Sequence, residues 1–483
     1  MTDGAARLLS HHLAAPKKYK DPQAGGAFMV PTYNMSPQEE ETEASIRVFK
    51  RAYARLISKD PANRWASSQW MTERPGGSDV GQSETTAQYN PVGRGGDENA
   101  GPWVISGHKF FSSATDSDMA ILLARTPGNS KLSAFYAPMR LAGGVKNGVR
   151  IVRLKKKLGT KALPTAELEL EGMRAFMIGA EGHGVREMAT MLNVTRVHNS
   201  VSAVSYMRRA LEVAKAFSRV RLIGPGRPLH KNALHLRTLA RLELLTRASA
   251  HLSFLSVHLL DLSEHPSNTY TGEIIIPEGF SPLLLRILTP LTKAVTAKLS
   301  IAVISESIEA LGGIGYLENE EPLNLARLLR DAQVLAIWEG TTNVLVTDLI
   351  HMLKRESSRE EERGIYALRE WVRENLTTNN RGRQETLEHC KVEIWKEWQE
   401  VEGMLEASSA GELIASGRRV LWRVAWVVVG VCLLVDARMD NESVAIELCR
   451  RWINEGFSGE AEQGGDPKED DKVVFGDLAK PKL

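Results

Sequence analysis

The chain has 483 residues, 43% of them hydrophobic and 25% charged, with a formal net charge of +2. That length accommodates several packed domains, and the balance excludes a disordered or membrane-embedded chain. Near-neutral charge gives no ground for a nucleic-acid partner. The cysteines, Cys390, Cys432 and Cys449, lie in the last quarter without a CxxC spacing, so an intracellular, reducing compartment is expected (cytoplasm, peroxisome and mitochondrion are not separated).

Residues 1–70 are expected to be mostly helical. MTDGAARLLSHHL is helix-compatible and lacks an apolar signal core, and Pro37 to Ser58 places Ile46, Phe49, Tyr53 and Ile57 near one helical face. Residues 71–172 change character. WVISGHKFFSS, MAILLART, KLSAFYAPM, GVRIVRL and AELELEG are short β-prone runs between Gly, Asn and Asp turns, and predict antiparallel strands in a barrel or sandwich. Residues 173–352 return to a 3.6-residue rhythm. Four long helices are expected, the last of them one continuous helix over DAQVLAIWEGTTNVLVTDLIHMLK, packed as a bundle. Residues 353–483 read as a further charge-rich helical region with a flexible end. Its most apolar run, Leu421 to Val435, is interrupted by Arg423 and falls short of the roughly 20 residues a membrane span needs. A buried bundle helix is expected there, and no transmembrane segment.

Three stretches carry candidate chemistry. In LAIWEGTTN, Leu335 to Asn343, Glu339 follows apolar residues and precedes Gly340. A carboxylate held in dry surroundings is suited to take a proton from a carbon acid; a helix-capping or ion-paired glutamate is the plainer reading, and the pattern alone favours it. In MTERPGGSDV, Met71 to Val80, a Gly-rich turn with hydroxyls is able to approach a phosphate or a ring edge closely; an ordinary hairpin turn is the plainer reading, and the motif alone favours it. In WVISGHKFFSS, Phe110 and Phe111 precede Ser112 and Ser113, a combination that either covers a ring or places one aromatic in the core. LGGIGY, Leu311 to Tyr316, reads by itself as a helix C-cap. Arg196 and His198 lie in a predicted helix, where an ion pair is the default, and Arg153 to Lys157 reads as a solvated basic face. No GxGxxG, P-loop, HExxH or hydrolase elbow occurs, and no metal site is expected.

Taken in order, these pieces resemble the acyl-CoA dehydrogenase family, in its AidB-like branch of alkylation-response flavoproteins, from about Gln69 to Met352. MTERPGGSDV resembles the signature opening the family's β-domain. LGTKALPTAELELEG and MIGAEGHGVREM are similar to the exit from that domain, LNVTRVHNSVSAVSYMRRALEVA to the first bundle helix, and EALGGIGYLENE through IWEGTTN to the second signature. The resemblance implies an α+β, mainly helical fold: a central antiparallel β-barrel or sandwich, then a long-helix bundle, then an extra C-terminal helical region. The domains would be a partial N-terminal helical domain (1–70), the β-domain (71–172), the bundle (173–352) and the additional region (353–483).

It further implies FAD as cofactor and α,β-dehydrogenation of an acyl-CoA or related thioester, with Glu339 as base and flavin N5 as hydride acceptor. Met71 and Thr72 would lie beside the flavin ring, Phe111 would stack near it, and Ser113 would bond close to N5. Ser78 would sit near a pyrophosphate or the substrate's phosphate end. Gly312, Gly313 and Gly315 would approach the FAD of a neighbouring subunit, implying a homo-oligomer, dimer or tetramer. Thr341 and Thr342 would help hold FAD, Arg196 would lie near the substrate, and the Glu339 amide would polarise the thioester oxygen. The electron acceptor is left open.

The chain departs from the family pattern in three places. Only 70 residues precede MTE, where the family carries a longer helical domain, so a shortened front is expected. The arginine-FG turn that reaches a partner's FAD is replaced by FSRVRLIGPGRPLH, with Arg219 and Arg221 as candidates. The third is the C-terminal addition of the AidB-like branch, through which some members bind DNA; here it mixes acids with bases, which weakens that expectation. The rival function is a flavin-containing protein with low dehydrogenase activity and a nucleic-acid-binding or stress-protective role.

Overall fold

The computed structural model describes residues 1–14, 37–77, 79–91, 97–265, 273–318, 324–355, 359, 363–377, 385–457 and 466–476. The chain forms two compact units, Met1–Thr195 and Arg196–Leu483.

In the first unit, helices α1 (Thr2–Ala14) and α2 (Pro37–Leu56) precede seven strands: β1 (Ser67–Trp70), β2 (Thr86–Tyr89), β3 (Trp103–Ser113), β4 (Met119–Arg125), β5 (Leu132–Pro138), β6 (Val149–Leu154) and β7 (Thr165–Ile178). The order β1-β4-β2-β3-β7-β5, with β5 pairing back to β4, closes a barrel; β6 adds to β7. Pairing is antiparallel except where β4 meets β1 and β2. The strands extend past both ends of the 71–172 stretch, because β1 ends at Trp70 and β7 continues to Ile178 to pair with β5. Central β4 and β5 are almost wholly buried and read as continuous apolar runs, as expected of strands covered on both faces. Trp70, Ile105, Leu122, Phe135 and Leu168 fill one core. Leu8, Leu9, Phe49 and Tyr136 fill a second between the barrel and the helices.

Helix α3 (Gly184–Val220) runs through the division into the second unit. There α4 (Ala233–Glu264), α5 (Ser281–Ala310), α6 (Leu325–Leu335) and α7 (Thr342–Leu353) form the bundle. They are followed by α8 (Gly364–Thr377), α9 (Glu385–Ala407), α10 (Ala410–Ala415), α11 (Gly417–Asp440), α12 (Ser443–Glu455) and α13 (Pro467–Phe475). The expected single helix over 331–354 is two helices, α6 and α7, broken at Ala336–Thr341. Glu339 has φ +58° and Gly340 φ +102°, values that an α-helix cannot contain.

The C-terminal helices share one hydrophobic core with the bundle, running from Leu239 and Leu288 to Trp371, Trp398, Val428 and Trp452. Among the described residues, two helices, Ser281–Ala310 and Gly417–Asp440, are long and apolar enough to cross a membrane, but their most apolar windows are 83% and 78% buried inside the protein. Core helices of a bundle have this character.

Candidate functional site

In the first unit the MTE segment is fastened to β3. The Phe110 amide donates to the Thr72 carbonyl at 2.9 Å, so Met71 and Thr72 lie beside Phe110 and Phe111 although nearly forty residues separate them in sequence. Beneath this contact is a buried ion pair. Lys109 Nζ donates to Glu73 Oε1 at 2.5 Å and to the Leu123 carbonyl at 3.1 Å. Glu73 also accepts from the Thr85 hydroxyl at 2.6 Å and the Glu84 amide at 2.6 Å. Burial pushes the Glu73 carboxyl up, but Lys109 and these hydrogen bonds outweigh it and hold it below its ordinary value. Burial pulls the Lys109 ammonium down, partly offset by Glu73.

Phe111 is 49% exposed and packs edge-on against Phe110 with centroids 5.2 Å apart. Lys155 Nζ lies 3.4 Å from the Phe110 centroid and 4.7 Å from that of Phe111, a cation–π arrangement that fixes both rings. Ser113 Oγ is 2.9 Å from Thr165 Oγ1. Gln69 Oε1, Trp70 Nε1 and Ser112 Oγ are buried without a hydrogen-bond partner, an arrangement uncommon without a ligand or water to satisfy it. Trp70 and Ser112 are fully buried, so their unpaired atoms lie inside the barrel, whereas Phe111 offers an exposed aromatic face of the kind a flat ring such as flavin packs on.

The Gly-rich turn has its own local logic. A Cβ on Gly76 would lie 2.1 Å from the Asp79 carbonyl oxygen, whereas one on Gly77 would meet nothing within 4 Å. Asp79 caps the following turn by accepting from the Gly81 amide at 3.0 Å. Ser78 lies outside the described residues. The basic run resolves into specific contacts: Arg153 and Lys155 both bind the Glu167 carboxylate, which they hold at about 2, and Lys157 Nζ donates to the Leu163 carbonyl at 2.6 Å.

In the second unit the helix break presents Glu339, and two elements, α3 and α5, grip it. From α3, Arg196 Nε donates to the Glu339 carbonyl at 3.3 Å. Also from α3, Asn199 donates to the Leu335 carbonyl at 3.2 Å and accepts from Trp338 Nε1 at 2.6 Å. From α5, Lys293 Nζ donates to the Gly340 carbonyl at 2.6 Å. From α7, Asp348 accepts from Arg286 at 2.9 Å and lies 3.5 Å from Arg196.

Arg196, singled out in the sequence, is therefore brought to Glu339, while His198 is exposed on another face of α3. Burial pulls the Arg196 guanidinium down, against the opposing charges of Asp348 and Glu339. The neighbours of Glu339 in sequence are apolar, but its neighbours in space include two cations. Asn199, Lys293 and Asp348 went unnoticed in the sequence. Asn199 lies one helical turn beyond Arg196, which was the available signal; Lys293 lies on another helix, and no local pattern marks it.

Thr341 precedes α7 without a side-chain capping bond, and Thr342 is buried. Gly312 to Tyr316 form a 3₁₀ turn with Gly312 at φ +63°. Gly313 has open space where a side chain would be, whereas a Cβ on Gly315 would lie 2.1 Å from the Ile308 carbonyl oxygen, so tight packing accounts for that glycine. Arg219 lies over the Phe475 ring at 4.3 Å, and Arg221 is exposed. No cluster able to hold a metal occurs among the described residues.

The acyl-CoA dehydrogenase middle domain matches residues 68–173, and the acyl-CoA dehydrogenase C-terminal domain matches residues 182–353. Acyl-CoA dehydrogenase family member 11 of Caenorhabditis elegans is 37% identical over 85% of this chain and 65% of its own length. AidB of Escherichia coli is 32% identical over 62% of this chain and 49% of its own length. The chain thus spans about half to two thirds of the length of these curated relatives. The crystal structure of Caenorhabditis elegans ACDH-11 in complex with C11-CoA is similar with a TM-score of 0.78 and 32% identity, covering 99% of this chain and 75% of that one. With the two domain models matched in order, and with 32% identity to a relative of which the chain covers 75%, the chain belongs to the acyl-CoA dehydrogenase family.

Proposed function

We propose that this chain carries out α,β-dehydrogenation of an acyl-CoA thioester, with Glu339 taking the proton from the α-carbon. The observation that carries the reading is the Glu339–Gly340 turn. A glutamate with φ +58° is strained, and such backbone persists only where surrounding contacts over-determine it. Here Arg196 and Lys293 hold two successive carbonyls, and the Asn199–Trp338 bond steadies the residue before them. The turn is thereby fixed, and with it the starting direction of the side chain. The Glu339 amide is the donor we assign to the thioester oxygen, where it would favour the enolate-like charge that develops as the proton leaves.

Met71, Thr72, Phe111 and Ser113 would hold the flavin ring. When bound, FAD supplies the two-electron acceptor for the hydride that leaves the β-carbon. In line with the resemblance, Thr341 and Thr342 would help hold FAD, and Gly312 and Gly313 would approach the FAD of a neighbouring subunit. Ile314, Tyr316 and Leu317, at 43%, 90% and 50% exposure, form an apolar tip on the Gly312–Tyr316 turn that would suit a second copy of the chain, in line with a homo-oligomer.

The test is the visible flavin spectrum of the FAD-loaded protein under anaerobic conditions, before and after a panel of acyl-CoA thioesters that includes C11-CoA. Bleaching by at least one thioester, abolished in Glu339→Gln with FAD still bound, is the expected result. Equal bleaching in Glu339→Gln would overturn the assignment of the base.

A further inference from the structure

We propose that Lys293 is a positioning residue for this reaction: from α5 its side chain holds the Gly340 carbonyl and so sets the direction in which the Glu339 carboxylate is presented. The inference rests on the reading of Glu339 as the base. Lys293 is fully buried, and a lysine is seldom placed there without a role for its charge or its hydrogen bonds. Its Nζ is 2.6 Å from the Gly340 carbonyl oxygen, while Arg196 takes the Glu339 carbonyl at 3.3 Å. Two cations on two different helices therefore clamp the two peptide units on the C-terminal side of the base. Loss of either clamp frees a peptide that sits at an unfavourable φ, and the turn then has every reason to relax.

The charged groups that face Lys293 are Glu339 from the turn and Arg196 from α3. Asp348 of α7 and Arg286 of α5 lie one contact further, on the other side of Arg196. Burial pushes the Lys293 ammonium down to about 7, with Glu339 opposing the shift and Arg196 adding to it. The clamp accordingly carries a full charge on the acid side of neutrality and becomes a neutral donor above it. A purely structural lysine would leave no trace of that titration in the reaction.

The test uses Lys293→Met, which removes donor and charge, and Lys293→Gln, which removes the charge but keeps an N–H donor, beside wild type and Glu339→Gln. Two readouts are taken on the full chain: hydrogen–deuterium exchange of the Val334–Leu345 segment, with and without FAD, and the rate of flavin bleaching by C11-CoA between pH 6 and pH 9. In Lys293→Met, exchange in that segment is expected to accelerate on the order of tenfold, and bleaching to slow by a similar factor while the C11-CoA concentration needed for half-saturation changes little. Lys293→Gln is expected to restore much of the protection but to lack the inflection near neutral pH that wild type shows. If Lys293→Met fails to fold, the pH profile of Lys293→Gln carries the test. Unchanged exchange and an unchanged pH profile in both variants would overturn the role of Lys293. Undiminished bleaching in Glu339→Gln would instead overturn the base assignment, a failure that the exchange data identify separately.

Discussion

Neutralising one member of the buried Glu73–Lys109 pair should be the most damaging conservative change in the barrel unit. Lys109 is 0% exposed and Glu73 3%, with their charged atoms 2.5 Å apart. Glu73→Gln leaves the ammonium buried with only the Leu123 carbonyl and an amide oxygen to answer it; Lys109→Met leaves a buried carboxylate with three neutral donors, the Glu84 amide and the Thr85 amide and hydroxyl. Removing one partner of such a pair costs about 3–5 kcal/mol, whereas replacing both by apolar groups of similar volume is often neutral or stabilising. We therefore expect each single variant to lower unfolding free energy by about 3 kcal/mol or more, and the double variant Glu73→Leu/Lys109→Met to recover most of that loss. The pair also ties the Thr72 segment to β3, so the single variants should release FAD more readily.

Acid should mimic Glu73→Gln. The Glu73 carboxyl lies below its ordinary 4.5 in the folded protein. Its contribution is therefore complete above that value and is lost as pH falls through the lower folded one. The assay is denaturant unfolding at pH 7 and pH 4 by barrel tryptophan fluorescence. Single variants within about 1 kcal/mol of wild type, or a double variant worse than their sum, would refute the reasoning.

Three other changes probe separate parts of the chain. Gly340→Ala puts a Cβ 3.0 Å from Leu345 Cδ2 at φ +102°, and should cost about 1–3 kcal/mol and slow flavin bleaching, read by thermal unfolding and stopped-flow absorbance. Phe111→Ala, at a half-exposed ring, should leave the melting temperature of the FAD-free protein nearly unchanged while weakening FAD binding up to about tenfold, measured by fluorescence titration. Asp470→Asn strips the buried partner from Arg451 at 2.5 Å and from Arg237 at 3.2 Å. It should cost about 3 kcal/mol, with hydrogen exchange rising first in α13.

Much of this protein is legible in local pattern. Alternation and turn residues mark the strands from Trp103 to Gly172, and the 3.6-residue rhythm marks α3, α4 and α5, because strand and helix periods depend on which side chains face a core. The motifs around Thr72, Phe111 and Glu339 stand out for a similar reason: each combines glycine or hydroxyl residues with apolar ones in a short span. The helix through Glu339 was misread because its apolar rhythm continues across the break. Only the positive φ at Glu339 and Gly340 ends it, and that conformation is held by groups from elsewhere.

Tertiary structure alone decided those groups. Lys293 and Asn199 lie about 46 and 140 residues from Glu339 in the chain, and apart from the spacing of Asn199 one helical turn after Arg196 nothing in their neighbourhoods signals a shared turn. The Glu73–Lys109 pair is likewise invisible locally, since its members meet only when the barrel closes. Period and composition specify which residues face inward. Which buried charge meets which carbonyl depends on how helices and strands pack, and that packing is a property of the whole chain.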